Sequence, residues 1–198
     1  MTRLLTKELW AEIDAVAKTK SAKRAAIAYV SSDRHLSFGK GDTLFCDATD
    51  NAISGGLTSA RVLEQAFARG ARLMCCPHLH AKVMVLDNVA IIGSGNCSKS
   101  SAETLIEAAM LVEDSSAVEA LGAFVDSLEK LSSAIDDAFI ARIKTIPVVP
   151  RRGRGVDTMP SGLEPSSPSV VTFYKQVMMG DVKKHARRSN KTKSGGGA

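Results

Sequence analysis

The chain has 198 residues, 44% of them hydrophobic, a mean hydropathy of +0.00 and a formal net charge of +5. That is enough apolar material for one packed domain plus additional chain, and it excludes a wholly disordered protein. No apolar run approaches the ~18–20 residues needed for a membrane-spanning helix, so an integral helical membrane protein is excluded as well.

Met1-Thr2-Arg3-Leu4-Leu5 runs directly into Lys7 and Glu8, which argues against a secretory signal. Leu5, Leu9, Ile13 and Val16 then recur at helical spacing and predict an amphipathic helix over 5–18. Ala25–Val30 is a short apolar run expected as a buried strand, and Thr43–Cys46 is a second, ending at Asp47. Thr58-Ser59 is placed to cap a helix through Phe67, closed by Gly70. Arg72–Cys75 reads as the next strand and Pro77 ends it. Strands alternating with helices predict an α/β layered domain. The four cysteines, Cys46, Cys75, Cys76 and Cys97, form no C-x-x-C pair. They are expected as free core thiols of a protein in a reducing, cytoplasmic setting.

The segment His80-Ala81-Lys82-Val83-Met84-Val85-Leu86-Asp87 is β-favouring, and side-chain alternation puts His80, Lys82 and Met84 on one face. An imidazole and an ammonium side by side on a buried strand are costly unless something compensates them. Asp87-Asn88 suits a tight turn, Val89–Ile92 returns as the partner strand, and Gly93-Ser94-Gly95-Asn96 makes a small loop. Ser100-Ser101-Ala102-Glu103 has the capping-box spacing for a helix, and Glu107 opens a strand running through Val112. Residues 113–143, with Ala117, Leu121, Phe124, Leu128 and Leu131 at helical spacing, read as one long amphipathic helix.

The charge is divided. Residues 1–143 carry 15 Lys and Arg against 18 Asp and Glu, a net of −3, while residues 144–198 carry 11 against 3, a net of +8. Five of the six prolines also fall in the last part, with Ser- and Gly-rich stretches, so a packed fold is not expected there. The organisation expected is a catalytic domain over 1–146, then a Pro/Ser-rich linker and disordered basic tail over 147–198. The tail cations Lys183, Lys184, Arg187, Arg188, Lys191 and Lys193 suit a polyanion.

His80-x-Lys82-x4-Asp87 followed by Gly93-Ser94-Gly95-Asn96 resembles the signature of the phospholipase D superfamily, H-x-K-x4-D with G-S-x-N. One feature departs from it: five residues separate Asp87 from Gly93, where six is usual in the family. A hairpin shortened by one residue keeps its strand faces only if the turn absorbs the change.

The resemblance implies an α/β/α fold with a mixed sheet and a metal-independent phosphodiesterase needing no cofactor. His80 would be the nucleophile that forms a phosphohistidine, and Lys82, Ser94 and Asn96 would hold the non-bridging phosphate oxygens. Glu107 would orient the His80 ring, and Asp87 and Gly93 would be structural. The mechanism takes two histidines and the motif occurs once. His35 and His78 read as ordinary structural or surface residues, and His185-Ala186-Arg187 only mimics the spacing. A homodimer in which each copy supplies one His80 to a shared site is therefore expected.

Within that family, a single-motif chain with a basic tail fits a DNA or RNA nuclease best, and a membrane partner is not expected from 5% aromatic content. The alternatives are a phosphatidyl hydrolase or transferase, and an inactive phosphate- or nucleic-acid-binding module.

Overall fold

Strands that are apolar on both faces need cover on both sides, and this chain supplies it from helices of different origin. The computed structural model describes residues 2–6 and 8–149. The linker and tail expectations, including the six tail cations and His185, otherwise lie outside the described residues. The elements in order are β1 (Thr2–Leu5), α1 (Leu9–Ala17), β2 (Lys23–Ile27), β3 (Thr43–Cys46), α2 (Asp50–Ser54), α3 (Ala60–Ala68) and β4 (Arg72–Cys75). They continue with β5 (Lys82–Leu86), β6 (Val89–Gly93), α4 (Lys99–Glu103), β7 (Ala109–Val112), α5 (Ser115–Ser127), β8 (Ser133–Ala134) and α6 (Asp137–Ile143).

The strands form one mixed eight-stranded sheet in the order β1-β7-β6-β5-β2-β3-β4-β8. β2, β3 and β4 are mutually parallel and every other pairing is antiparallel. On one face, Ala25, Ile27, Leu44, Leu73, Met84, Leu86 and Ile91 pack with Leu9, Trp10 and Ile13 of α1, Leu63 of α3 and Ile143 of α6. On the other, Ala26, Phe45, Met74, Val83, Val85 and Ala90 pack with Val118 and Val125 of α5 and with Leu128. The result is the expected α/β/α sandwich. The cover on the second face is incomplete: Leu4, Met110 and Ile92 are neighbours across β1, β7 and β6, and all three are exposed.

Two local expectations are corrected. Leu5 belongs to β1 rather than to the first helix. It pairs with Ala109 of β7 and is fully buried, a long-range contact that overrides its place in a helical pattern. Residues 113–143 are not one helix. After α5 the chain tightens into a 3-10 turn over Leu128–Leu131, pairs briefly with β4 as β8, and restarts at α6, where the Asp136 carboxylate accepts from the Phe139 N–H. The buried stripe of α5 is Val118, Gly122 and Val125, one position off the anticipated one, and it leaves Phe124 and Leu131 exposed. At Gly122 the Arg24 guanidinium lies over the helix, and a Cβ there would sit 3.0 Å from Arg24 Nη2.

The hairpin that carries the motif is continuous. β5 and β6 pair from Leu86↔Val89 to Val83↔Ile92, joined by the two-residue turn Asp87-Asn88, with Asp87 at φ 51°. The shorter spacing is thus taken up by the turn, and Lys82, Met84 and Leu86 keep one face.

Candidate active site

Register decides what meets at the end of the sheet. Lys82 opposes Ile27, and Gly93 opposes Ala109. The start of β5, the ends of β2 and β6 and the start of β7 therefore share one edge. His80 lies just before β5, exposed to solvent, while Lys82, the first residue of the strand, is 7% exposed.

The Lys82 ammonium donates to the His80 carbonyl at 2.8 Å and lies 3.4 Å from each of the two ring nitrogens of His80. Burial pushes the Lys82 pKa down from that of an ordinary lysine, and the nearby Glu107 carboxylate opposes that shift. Among the described residues this is the one buried lysine, and its charge is directed at the imidazole.

Asn96 is oriented by the backbone. Its Oδ1 accepts the Tyr29 N–H at 3.3 Å, so its NH2 group is the end turned away from Tyr29. Ser94 is more committed than the resemblance implies. Its backbone N–H donates to the Ala108 carbonyl at 3.0 Å, its hydroxyl donates to Glu107 Oε2, and its Oγ accepts the Ala108 N–H at 3.1 Å. A phosphate oxygen would receive the Ser94 proton only by displacing Glu107.

Glu107 sits two residues before β7, and β7 pairs with β6 rather than with β5. Its two oxygens accept from Ser94 and from Ser101 Oγ, the latter at 2.8 Å, rather than from the His80 ring. Asp87 lies at the far end of β5. Hydrogen bonds from the Ser21 N–H (2.9 Å), the Ala22 N–H (3.1 Å) and the Ser21 hydroxyl hold its carboxyl below the usual carboxylate range. Its contacts tie the hairpin to the chain entering β2. Gly93 is a contact point, since a Cβ there would lie 2.5 Å from both the Ala108 carbonyl oxygen and Ala109 Cβ.

His80, Lys82, Ser94, Asn96 and Glu107 are thus gathered at one edge, and Asp87 is not. His78 is exposed in the β4–β5 connection with φ 65°, and His35 lies half-buried with its ring centroid 6.3 Å from that of Trp10. Among the described residues no group of three or more His, Cys, Asp or Glu is arranged to hold a metal ion, and no helix is long and apolar enough to cross a membrane.

Two of the solved structures similar to this one are both of bacterial origin. They are Nuc from Salmonella typhimurium, a phospholipase D family member (15% identity, TM-score 0.54), and NucT from Helicobacter pylori (10% identity, TM-score 0.55). Each alignment covers 68% of this chain, with 97% of Nuc and 98% of NucT, so the likeness extends over whole proteins of that fold. The chain has a phospholipase D-like fold. No protein-family model matches the chain, and no curated protein does.

Within the phospholipase D fold, sequence reasoning missed two residues that reach the site, Ser101 and Trp10. Ser101 reads as part of a cap, yet the capping oxygen belongs to Ser98, which accepts from the Ser101 N–H at 3.1 Å. Trp10 is not singled out by any motif, and the structure buries it in the core beneath α1. The unusual signal was a serine placed six residues before a candidate glutamate, and nothing in the local pattern says that they meet.

Proposed function

We propose that this protein is a metal-independent phosphodiesterase that hydrolyses DNA or RNA through a phosphohistidine on His80, in a site shared by two copies. The observation that carries the reading is the buried Lys82 ammonium held against the His80 ring and carbonyl, within one sheet edge of the Asn96 amide. Buried charge of this kind is unfavourable for folding alone, and a phosphodiester anion would repay it.

In the first step a His80 nitrogen attacks phosphorus, a P–N bond forms, and the bond to the leaving oxygen breaks. That oxygen takes a proton from the second histidine. In the next step the same histidine takes a proton from water, whose oxygen attacks phosphorus and breaks the P–N bond, restoring His80. Lys82 and the Asn96 amide neutralise the non-bridging oxygens as charge builds on them. Ser94 joins them when its hydroxyl redirects its hydrogen bond from Glu107 to a phosphate oxygen.

Each chain has one His80, and the second histidine is that of another copy. The exposed row Leu4, Met110 and Ile92, and the exposed Leu105 and Ile106 that precede Glu107 in the chain, offer that copy apolar surface. The nucleic-acid preference is supported by Lys183, Lys184, Arg187, Arg188, Lys191 and Lys193, whose binding to phosphates would release counterions.

The deciding assay is cleavage of single- and double-stranded nucleic acid in EDTA, beside His80→Ala and beside phospholipid vesicles. Activity that survives EDTA and falls at least about 1,000-fold in His80→Ala supports the reading. Turnover of lipid alone, or binding without turnover, would overturn it. A protein that is fully active as a monomer at micromolar concentration would overturn the shared site.

A further inference from the structure

A hydrogen-bonded chain enters the site from α1. The indole Nε1 of Trp10 donates to Ser101 Oγ at 3.1 Å, and Ser101 Oγ donates to Glu107 Oε1 at 2.8 Å. The direction is forced. An indole nitrogen can only donate, so the single Ser101 proton is directed at the carboxylate. Trp10 and Ser101 are each 4% exposed, so both bonds lie away from bulk solvent. The same two residues also touch the phosphate loop. A Cβ at Gly95 would lie 3.3 Å from Ser101 Oγ, 3.4 Å from Trp10 Cζ2 and 3.2 Å from Leu9 Cδ2.

We propose that Trp10 and Ser101 are positioning residues that fix the Glu107 carboxylate at the edge of the site and brace the Gly93–Asn96 loop against α1. The proposal rests on reading Lys82 as the cation that neutralises phosphate. Lys82 contacts His80 on its own segment, and the charge of Glu107, two residues before β7, acts on it. Burial works against its charge and Glu107 works for it. A carboxylate released from these bonds and free to move away from Lys82 favours the ammonium less, so the Lys82 pKa falls further. The sign follows: a lower Lys82 pKa means that the ammonium is lost at lower pH, and the alkaline limb of activity moves down with it.

The test is a pH titration of the Lys82 Cε resonance in full-length protein with 13C-labelled lysine, assigned by its loss in Lys82→Arg. Wild type is compared with Glu107→Gln, Ser101→Ala and Trp10→Phe, and thermal melts show whether each variant is folded. Glu107→Gln is expected to lower the Lys82 midpoint most. Ser101→Ala should lower it by a smaller amount, and Trp10→Phe, which keeps an aromatic ring and removes the donor, by less again. The alkaline limb of bis(p-nitrophenyl) phosphate cleavage should shift in the same order. The proposal is overturned if Ser101→Ala and Trp10→Phe titrate like wild type, or if Glu107→Gln leaves Lys82 unmoved. Should Ser101→Ala fail to fold, Trp10→Phe decides alone. Shifted midpoints in a protein that cleaves no diester would refute the proposed activity while leaving the positioning role in place.

Discussion

Replacing Gly93 by alanine tests whether the site is built by the close approach of β6 to β7. A Cβ at this position would lie 2.5 Å from the Ala108 carbonyl oxygen, 2.5 Å from Ala109 Cβ and 2.7 Å from Ala109 Cα. These contacts are about 1 Å short of ordinary van der Waals separation. Two of the three atoms are backbone, so no side-chain rotation relieves the clash and the strands must part. Overpacking of this kind costs about 1–3 kcal/mol. Separation also strains the Ser94 N–H bond to Ala108, now 3.0 Å, for about 1 kcal/mol more. Gly93→Ala is therefore expected to lose about 2–4 kcal/mol in urea unfolding, and about 5–15 °C in Tm for a domain of this size.

Function should fall further than stability. The displaced residue Ser94 binds Glu107, and Asn96 lies on the same loop. Gly95→Ala is the control. Its Cβ would meet side-chain atoms of Leu9, Ser101 and Trp10 at 3.2–3.4 Å, a milder overlap than at Gly93 and with no backbone atom. A Gly93→Ala protein within about 0.5 kcal/mol of wild type, or one no less stable than Gly95→Ala, would refute the close-approach argument.

Three further outcomes are expected. Asp87→Ala should lower Tm at neutral pH, because the depressed folded-state pKa means that the carboxylate stabilises the fold above its unfolded value of about 3.9. That contribution is lost as pH falls through the folded value, so melting curves of variant and wild type should converge in acid, and a gap that persists there contradicts the assignment. Asp42→Ala should cost about 3–5 kcal/mol in urea unfolding. The buried Asp42 carboxylate accepts from the Lys23 N–H and Nζ, both at 2.9 Å, and from the Gly39 N–H at 2.8 Å. A loss below about 1 kcal/mol would show that the pair is solvated. All four free cysteines are buried, and burial pushes the Cys46, Cys75 and Cys97 thiols up. Ellman's reagent should react slowly with native protein at pH 8 and with all four thiols after guanidinium unfolding, so a fast native thiol would contradict this packing.

Elements dictated by local chemistry could be read from the residues alone. The strand Thr43–Cys46 and the helix capped by Ser59 follow from short-range signals. The motif hairpin does too, because alternation and a two-residue turn suffice to place Lys82 on the buried face. Those same residues were enough to anticipate the phospholipase D fold, since His80, Lys82, Asp87, Gly93, Ser94 and Asn96 lie within one hairpin and its loop.

Tertiary structure decided whatever depends on chain segments distant in sequence. Thr2–Leu5 is a strand because β7 pairs with it, a partner about 105 residues away whose arrival no local pattern announces. The helical spacing over 113–143 persists across a break at Ser132 because periodicity records which residues are apolar, not where β4 intercepts the chain. The Glu107 oxygens go to Ser94 and Ser101, and Trp10 comes to lie behind them from α1. Each of those bonds is set by where helix and strand pack. The sequence alone identified the groups able to do the chemistry, and packing chose their partners, because a hydrogen bond between remote segments depends on distances that only the assembled core defines.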